Sequence, residues 1–330
     1  MLGRLLLAFT FISCSPAPAQ QPSLRDSDRI RIAEAFRLAQ ILQDDIWEGW
    51  SGVPFALLLV TSTHEFLIRH PQPSDDFTEV GHDSLLDSNI YVRGRTLPEN
   101  LRAAFPAVGN ISTIVIGQPE KTEQSSTFWV LTVLHEHFHQ LQNAQPDYYS
   151  AADALDLARG DKSGMWMLNY PFPYDSTDVA IRLSKLGTLL LQSLRAINKP
   201  GFEERLSRYR NAHSELQKFL SEDDYKYMSF QIWQEGVARY TEYTVARMAG
   251  RDYTPTEEFR SLNDFVPFSE AADSLYSIIE AGLAQVDLEE KRRVAFYSLG
   301  AAEALVLDAA CPGWHRCYFE NKFFLEKCYE

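Results

Sequence analysis

The chemistry-bearing residues stand almost side by side. The stretch LTVLHEHFHQLQ, beginning at Leu131, puts His135, Glu136, His137 and His139 into five consecutive positions. On an α-helix, residues four apart lie on the same face, one turn above the other, so His135 and His139 can offer imidazole nitrogens to one ion. Glu136 stands beside them, turned by about 100° around the axis. This is the His-Glu-x-x-His pattern, in which two imidazoles hold zinc and the glutamate accepts a proton from the water that zinc activates. His137 is turned by about 200° from His135 and cannot share the ion while the helix stays regular, so it is expected to be a partnered or surface histidine. The helix is otherwise apolar, and ionisable groups at 135, 136 and 139 need partners there; a metal ion serves all three.

One helix supplies two ligands, and a third must come from elsewhere. The compact route, in which the pattern continues x-x-Gly-x-x-His, is closed because Gln142 and Gln145 occupy those places. A carboxylate from a second helix remains. The segment FQIWQEGVARYTEY (230–243) offers Glu235, with Gly236 next to it to permit close approach to the histidine helix. Arg239 and Glu242 fall on the face of Glu235 and are expected to orient it. Glu136-x-x-His139 is also half of a carboxylate-bridged di-iron signature. The only further Glu-x-x-His, Glu79–His82, is interrupted by Gly81 in a segment that reads as loop, so zinc ranks above iron.

HEHFH followed by WQEGVARYTEY resembles the gluzincin metallopeptidases, and the second stretch is similar to the Glu-Gly-x-Ala segment of their aminopeptidase N-like branch. The resemblance implies a zincin-like fold, a zinc cofactor bound by His135, His139 and Glu235, Glu136 as general base, and a peptide or protein substrate. It covers about twenty-five residues. Ninety-five residues separate His139 from Glu235, far more than in that branch, and no Gly-x-Met-Glu-Asn stretch precedes the histidine helix, so exopeptidase activity is not implied. Sites of this kind use a tyrosine or histidine to stabilise an oxyanion, and Tyr240, Tyr243, Tyr297 and His213 stand as candidates. STIVIG, just ahead of the histidine helix, is expected to be an edge strand on which an extended peptide could pair. The alternative reading is a non-catalytic exported protein with a structural zinc site.

The elements that must position these residues follow from hydrophobic period. Asp26–Trp50 has apolar residues three and four apart and reads as an amphipathic helix. PFALLLVTSTHEFLIRHP reads as a strand pair, and NIYVRGR (89–95) and NISTIVIG (110–117) as further strands. His64 and His70, six apart on that strand pair, are too distant to form a second site. Pro71–Leu85 reads as loop. Ser125, Ser126 and Thr127 are candidate caps for the histidine helix. After an aromatic, proline-containing loop, KSGMWMLNYPFPYD, helical period dominates at about 176–197, 201–220, 224–249, 266–285 and 289–309. The fold class expected is α+β: an N-terminal mixed sheet lobe over 20–125 and a mostly helical, metal-binding lobe over 126–330.

Residues 1–19 read as a signal peptide. They have one basic residue, Arg4, an apolar run from Leu5 to Ile12, and Ala17-Pro18-Ala19 before Gln20. Secretion or a periplasmic location is expected; the rival is a lipoprotein anchored at Cys14. No later segment is long enough to span a bilayer. The chain carries a net charge of −14, and loss of the leader makes it one unit more negative, which argues against nucleic acid as a partner. Of the cysteines left, Cys311, Cys317 and Cys328, two are expected to form a local disulfide. Cys311–Cys317 and Cys317–Cys328 are both open, and a metal knuckle with His315 is the less favoured use.

Overall fold

The computed structural model describes residues 22–329. The leader expected over 1–19, with Cys14, lies outside the described residues. Six strands form one mixed sheet: β1 (Leu57–Val60), β2 (His64–Ile68), β3 (Thr78–Asp83), β4 (Ser88–Gly94), β5 (Arg102–Val108) and β6 (Ile111–Gly117). Their order is β3-β4-β2-β1-β6-β5, with β1 and β6 parallel and the other neighbours antiparallel. Side chains alternate across a strand, and the two faces fill different cores. Leu57, Leu59, Phe66, Ile68, Ile114 and Ile116 join the main core, while Leu58, Val60, Leu67 and Val115 form a smaller one on the far side. Burial on both faces explains the unbroken Leu-Leu-Leu-Val of β1.

Two expectations about this sheet are corrected. Pro71–Leu85 is not all loop: Thr78–Asp83 forms β3, an exposed and polar edge strand with a register shift at Gly81. STIVIG is not an edge, because β6 is paired on both sides. The edge is β5, whose Pro106 suits a strand with one open side. A hydrophobic pattern marks strands that a core covers, and these two edges carry little of it.

Of the helices among the described residues, nine are labelled here: α1 (Asp26–Ile46), α2 (Ser126–Asn143), α3 (Thr177–Leu194), α4 (Phe202–Phe219), α5 (Glu222–Gln231), α6 (Val237–Asp252), α7 (Phe268–Ala284), α8 (Ala295–Ala310) and α9 (Trp314–Glu320). A mixed sheet followed by a mostly helical region is the α+β architecture expected. Helix α2 lies against β5, β6, α1 and α6. Hydrogen bonds fix its position: Trp129 Nε1 donates to Gly117 O at 2.8 Å, and Gln140 Nε2 to Ser112 O at 2.6 Å and Ala56 O at 3.1 Å. Its first turn is capped from a distance. Ser125 makes no side-chain cap; Asp264, in the loop before α7, accepts from Ser126 N at 2.9 Å and from Ser126 Oγ at 2.5 Å.

The C-terminal staple is Cys317–Cys328, leaving Cys311 free. With two of the three sulfurs joined, no knuckle forms, and His315 packs against Trp47 and Trp314 instead.

Candidate metal centre

Helix α2 is apolar nearly all round, so it runs through the core and carries its ionisable residues inside with it. His135, Glu136, His137 and His139 are all buried. Helix phase separates them as expected. The His137 ring stacks on Phe55 at 3.9 Å and on Trp50 at 5.2 Å, and its nitrogens meet Gln140 Oε1 at 2.8 Å and Gln43 Oε1 at 3.2 Å. Burial pushes its pKa down to about 4, which keeps it neutral.

The other two imidazoles converge. Nε2 of His135 and Nε2 of His139 are 3.2 Å apart, and Glu235 Oε2 lies 3.8 Å and 3.7 Å from them. A tetrahedral ion with ligand bonds of about 2.0–2.2 Å needs donor atoms about 3.3–3.6 Å apart. The three edges therefore match a metal shell to within a few tenths of an ångström. Each imidazole has its far nitrogen engaged: Nδ1 of His139 meets Gln142 Oε1 at 2.5 Å, and Nδ1 of His135 faces Glu242 Oε2 at 3.4 Å. With a proton on each Nδ1 and an ion between them, both Nε2 atoms would be free to act as donors.

Burial alone would lower the pKa of His135, but the carboxylates of Glu235 and Glu242 outweigh it and raise it to about 9. Glu235 is opposed by burial as well, yet the two histidines hold it well below the usual carboxylate range. Glu242 is lowered despite its burial by Arg239 and His135. Glu136 goes the other way: burial raises it, and its Oε2 has no hydrogen-bond partner. The ligand atoms of His135, Glu136 and His139 also lie within 4.8 Å of one another, so two carboxylates compete for the third place. Glu235 Oε2 lies 3.7–3.8 Å from both Nε2 atoms, which makes it the better-spaced candidate for the third donor.

Three local expectations need correction. Arg239 and Glu242 do not orient Glu235; Arg239 Nη1 pairs with Glu242 Oε2 at 2.9 Å, and Glu242 faces His135. Glu235 is paired through its other oxygen with Arg293, whose Nη1 is 3.5 Å from Oε1. Gly236 does not open the way to the histidine helix. It packs against Gly300 of α8, where a Cβ on residue 236 would stand 2.5 Å from Gly300 Cα. Finally, the helix bearing Glu235 is not regular: Ile232–Gly236 is a π-turn between α5 and α6. Such turns recur at functional sites, and here one delivers the carboxylate.

Of the oxyanion candidates, Tyr297 lies beside Glu235 and accepts a hydrogen bond from Arg293 Nη1 at 2.6 Å. Tyr240 donates to Asp308 at 3.0 Å, Tyr243 packs on Tyr276, and His213 is buried against Tyr209 and Tyr225, so these are engaged elsewhere. Gln142, Arg293 and Gly300 were not identified as part of the site from the sequence. Only Gln142 carried a signal, its place three residues after His139 on the same helix. No family model, no curated protein and no solved structure matches the chain.

Proposed function

We propose that the protein is an exported zinc-dependent hydrolase, most simply a peptidase, in which His135, His139 and Glu235 hold the metal and Glu136 is the general base. The observation that carries this reading is the buried, partnerless Oε2 of Glu136 beside a three-donor cluster of metal-shell dimensions. A site built only to hold an ion has no use for a fourth, unsatisfied carboxylate oxygen, which costs about 1–3 kcal/mol. Zinc, when bound, supplies Lewis acidity toward a carbonyl and activates water near neutral pH.

The chain's own residues do the rest. Burial raises the proton affinity of Glu136, suiting it to take a proton from the attacking water and return it to the leaving amine. Glu242 and Gln142 hold the imidazoles in the tautomer that presents Nε2. Tyr297, hydrogen-bonded to Glu235 and accepting from Arg293, is the oxyanion candidate that lies nearest the cluster, and its hydroxyl would have to turn from Glu235 to serve in that role. The open side of β5, the sheet edge against α2, offers backbone groups to an extended chain. Export is supported by the Cys317–Cys328 disulfide, which persists in oxidising compartments. No helix among the described residues is long and apolar enough to cross a membrane.

The near-complete burial of both imidazoles favours one other reading, a closed structural zinc site. Elemental analysis together with hydrolysis of an unstructured protein substrate separates the two. Near-stoichiometric zinc with hydrolysis that a chelator abolishes is expected. Zinc without hydrolysis selects the structural site, and full zinc retention in Glu235→Ala refutes the third-ligand assignment.

A further inference from the structure

The C-terminal segment ends far from the histidine helix in sequence, yet it reaches that helix through one hydroxyl. Tyr318, next to the disulfide-bonded Cys317, is fully buried and stacks on Trp233 with ring centres 4.4 Å apart. The two residues are tied reciprocally at 3.0 Å, Trp233 Nε1 donating to Tyr318 O and Tyr318 OH donating to Trp233 O. Trp233 belongs to the π-turn, where the broken ladder leaves carbonyls that need outside donors. Because its proton goes to that carbonyl, the Tyr318 oxygen can only accept from its other neighbour. That neighbour is Gln142 Nε2, at 2.6 Å, which also donates to Gln234 O at 2.9 Å.

This orientation of the Gln142 amide matters because the far nitrogen of His139 is contested. Gln142 Oε1 lies 2.5 Å from Nδ1 and calls for a proton there, whereas Gln234 Nε2, a donor, lies 3.1 Å from the same nitrogen and calls for a lone pair. If the second prevailed, the ring proton would move to Nε2, the nitrogen that faces Glu235 and His135. We infer that Tyr318 is a positioning residue for the metal centre: together with the carbonyls of Gln234 and Trp233 its hydroxyl holds the Gln142 amide, and the held amide selects the Nδ1–H tautomer of His139 that leaves Nε2 free to bind metal. The inference rests on the reading of His139 as a ligand. It makes the disulfide-stapled tail part of the site rather than a terminal decoration.

Tyr318→Phe tests it, since the ring and its stack on Trp233 stay while the shortest of the hydrogen bonds that hold the Gln142 amide is lost. Zinc affinity, measured by competition with a chromogenic chelator, should fall by about ten- to a hundredfold, the range for outer partners of metal-bound histidines. The visible absorption of the cobalt-substituted protein should change with it, a readout that loosened packing alone would not move. Tyr225→Phe is the control: it removes a 2.6 Å hydrogen bond to Glu326 of the same tail without touching Gln142, and should leave both measurements unchanged. Wild-type zinc affinity in a folded Tyr318→Phe protein overturns the inference, as does an equal loss in Tyr225→Phe, which would assign the effect to the tail's stability. A wild-type protein that binds no zinc at all would instead remove the metal reading itself.

Discussion

Replacing Glu136 by Gln separates catalysis from metal binding. The side chain is 5% exposed, and its Oε2 has no partner. The amide keeps the shape of the carboxyl but cannot accept a proton, and loss of a general base costs about a hundred- to ten-thousandfold in rate, or about 3–5 kcal/mol of barrier. Stability should move the other way. Burial raises the pKa of this carboxyl in the folded protein, so the proton-linked stability it contributes is present below its unfolded pKa and lost as pH rises. At neutral pH the metal-free variant should therefore be as stable as the wild type or more so, by up to about 1–3 kcal/mol, the cost of an orphaned buried acceptor. The assays are denaturant unfolding of the metal-free proteins, zinc by elemental analysis, and turnover of an unfolded protein substrate. A folded variant with full zinc and undiminished turnover would refute the assignment of the base. Loss of zinc in the variant would show that Glu136, not Glu235, completes the shell.

Three further outcomes are expected. His137→Ala should keep its zinc, because the ring points away from the centre, while losing about 2–4 kcal/mol of stability with its two ring stacks and two hydrogen bonds; elemental analysis and urea melts check both. Gly300→Ala would set a Cβ 2.4 Å from the carbonyl of Ile232, so it should cost about 1–3 kcal/mol and, by displacing the turn that holds Glu235, lower zinc content; a stable variant with full zinc would show that the turn yields without moving the carboxylate. Glu303 is a buried carboxyl of α8 whose pKa burial and Glu326 push up to about 8 from 4.5, with Tyr209 as its hydrogen-bond partner. Its contribution is complete below about pH 4.5 and lost as pH rises through 8. Glu303→Gln should thus match the wild type at pH 4 and exceed it at pH 9 by about 3–5 kcal/mol in chemical unfolding.

The convergence of His135 and His139 was readable because helix period is a local property. Positions 135 and 139 share a face in any regular helix, and 137 cannot join them, so the donor pair, the candidate base and the excluded histidine all followed from spacing. The long helices and central strands were readable for the same reason, each having a core-facing period of its own. Edge strands β3 and β5 lack that period because a core covers few of their side chains, so no local pattern marks them. Glu235 could be nominated from its surroundings, but only the fold brings it across ninety-five residues, and it does so through a π-turn that no local pattern announces. What holds the centre was beyond any pattern: Arg293 on Glu235, Gly300 under Gly236, and Tyr318 on Gln142. Each of these is a contact between distant segments, and its energy depends on packing distances and hydrogen-bond directions that exist only once the chain is folded.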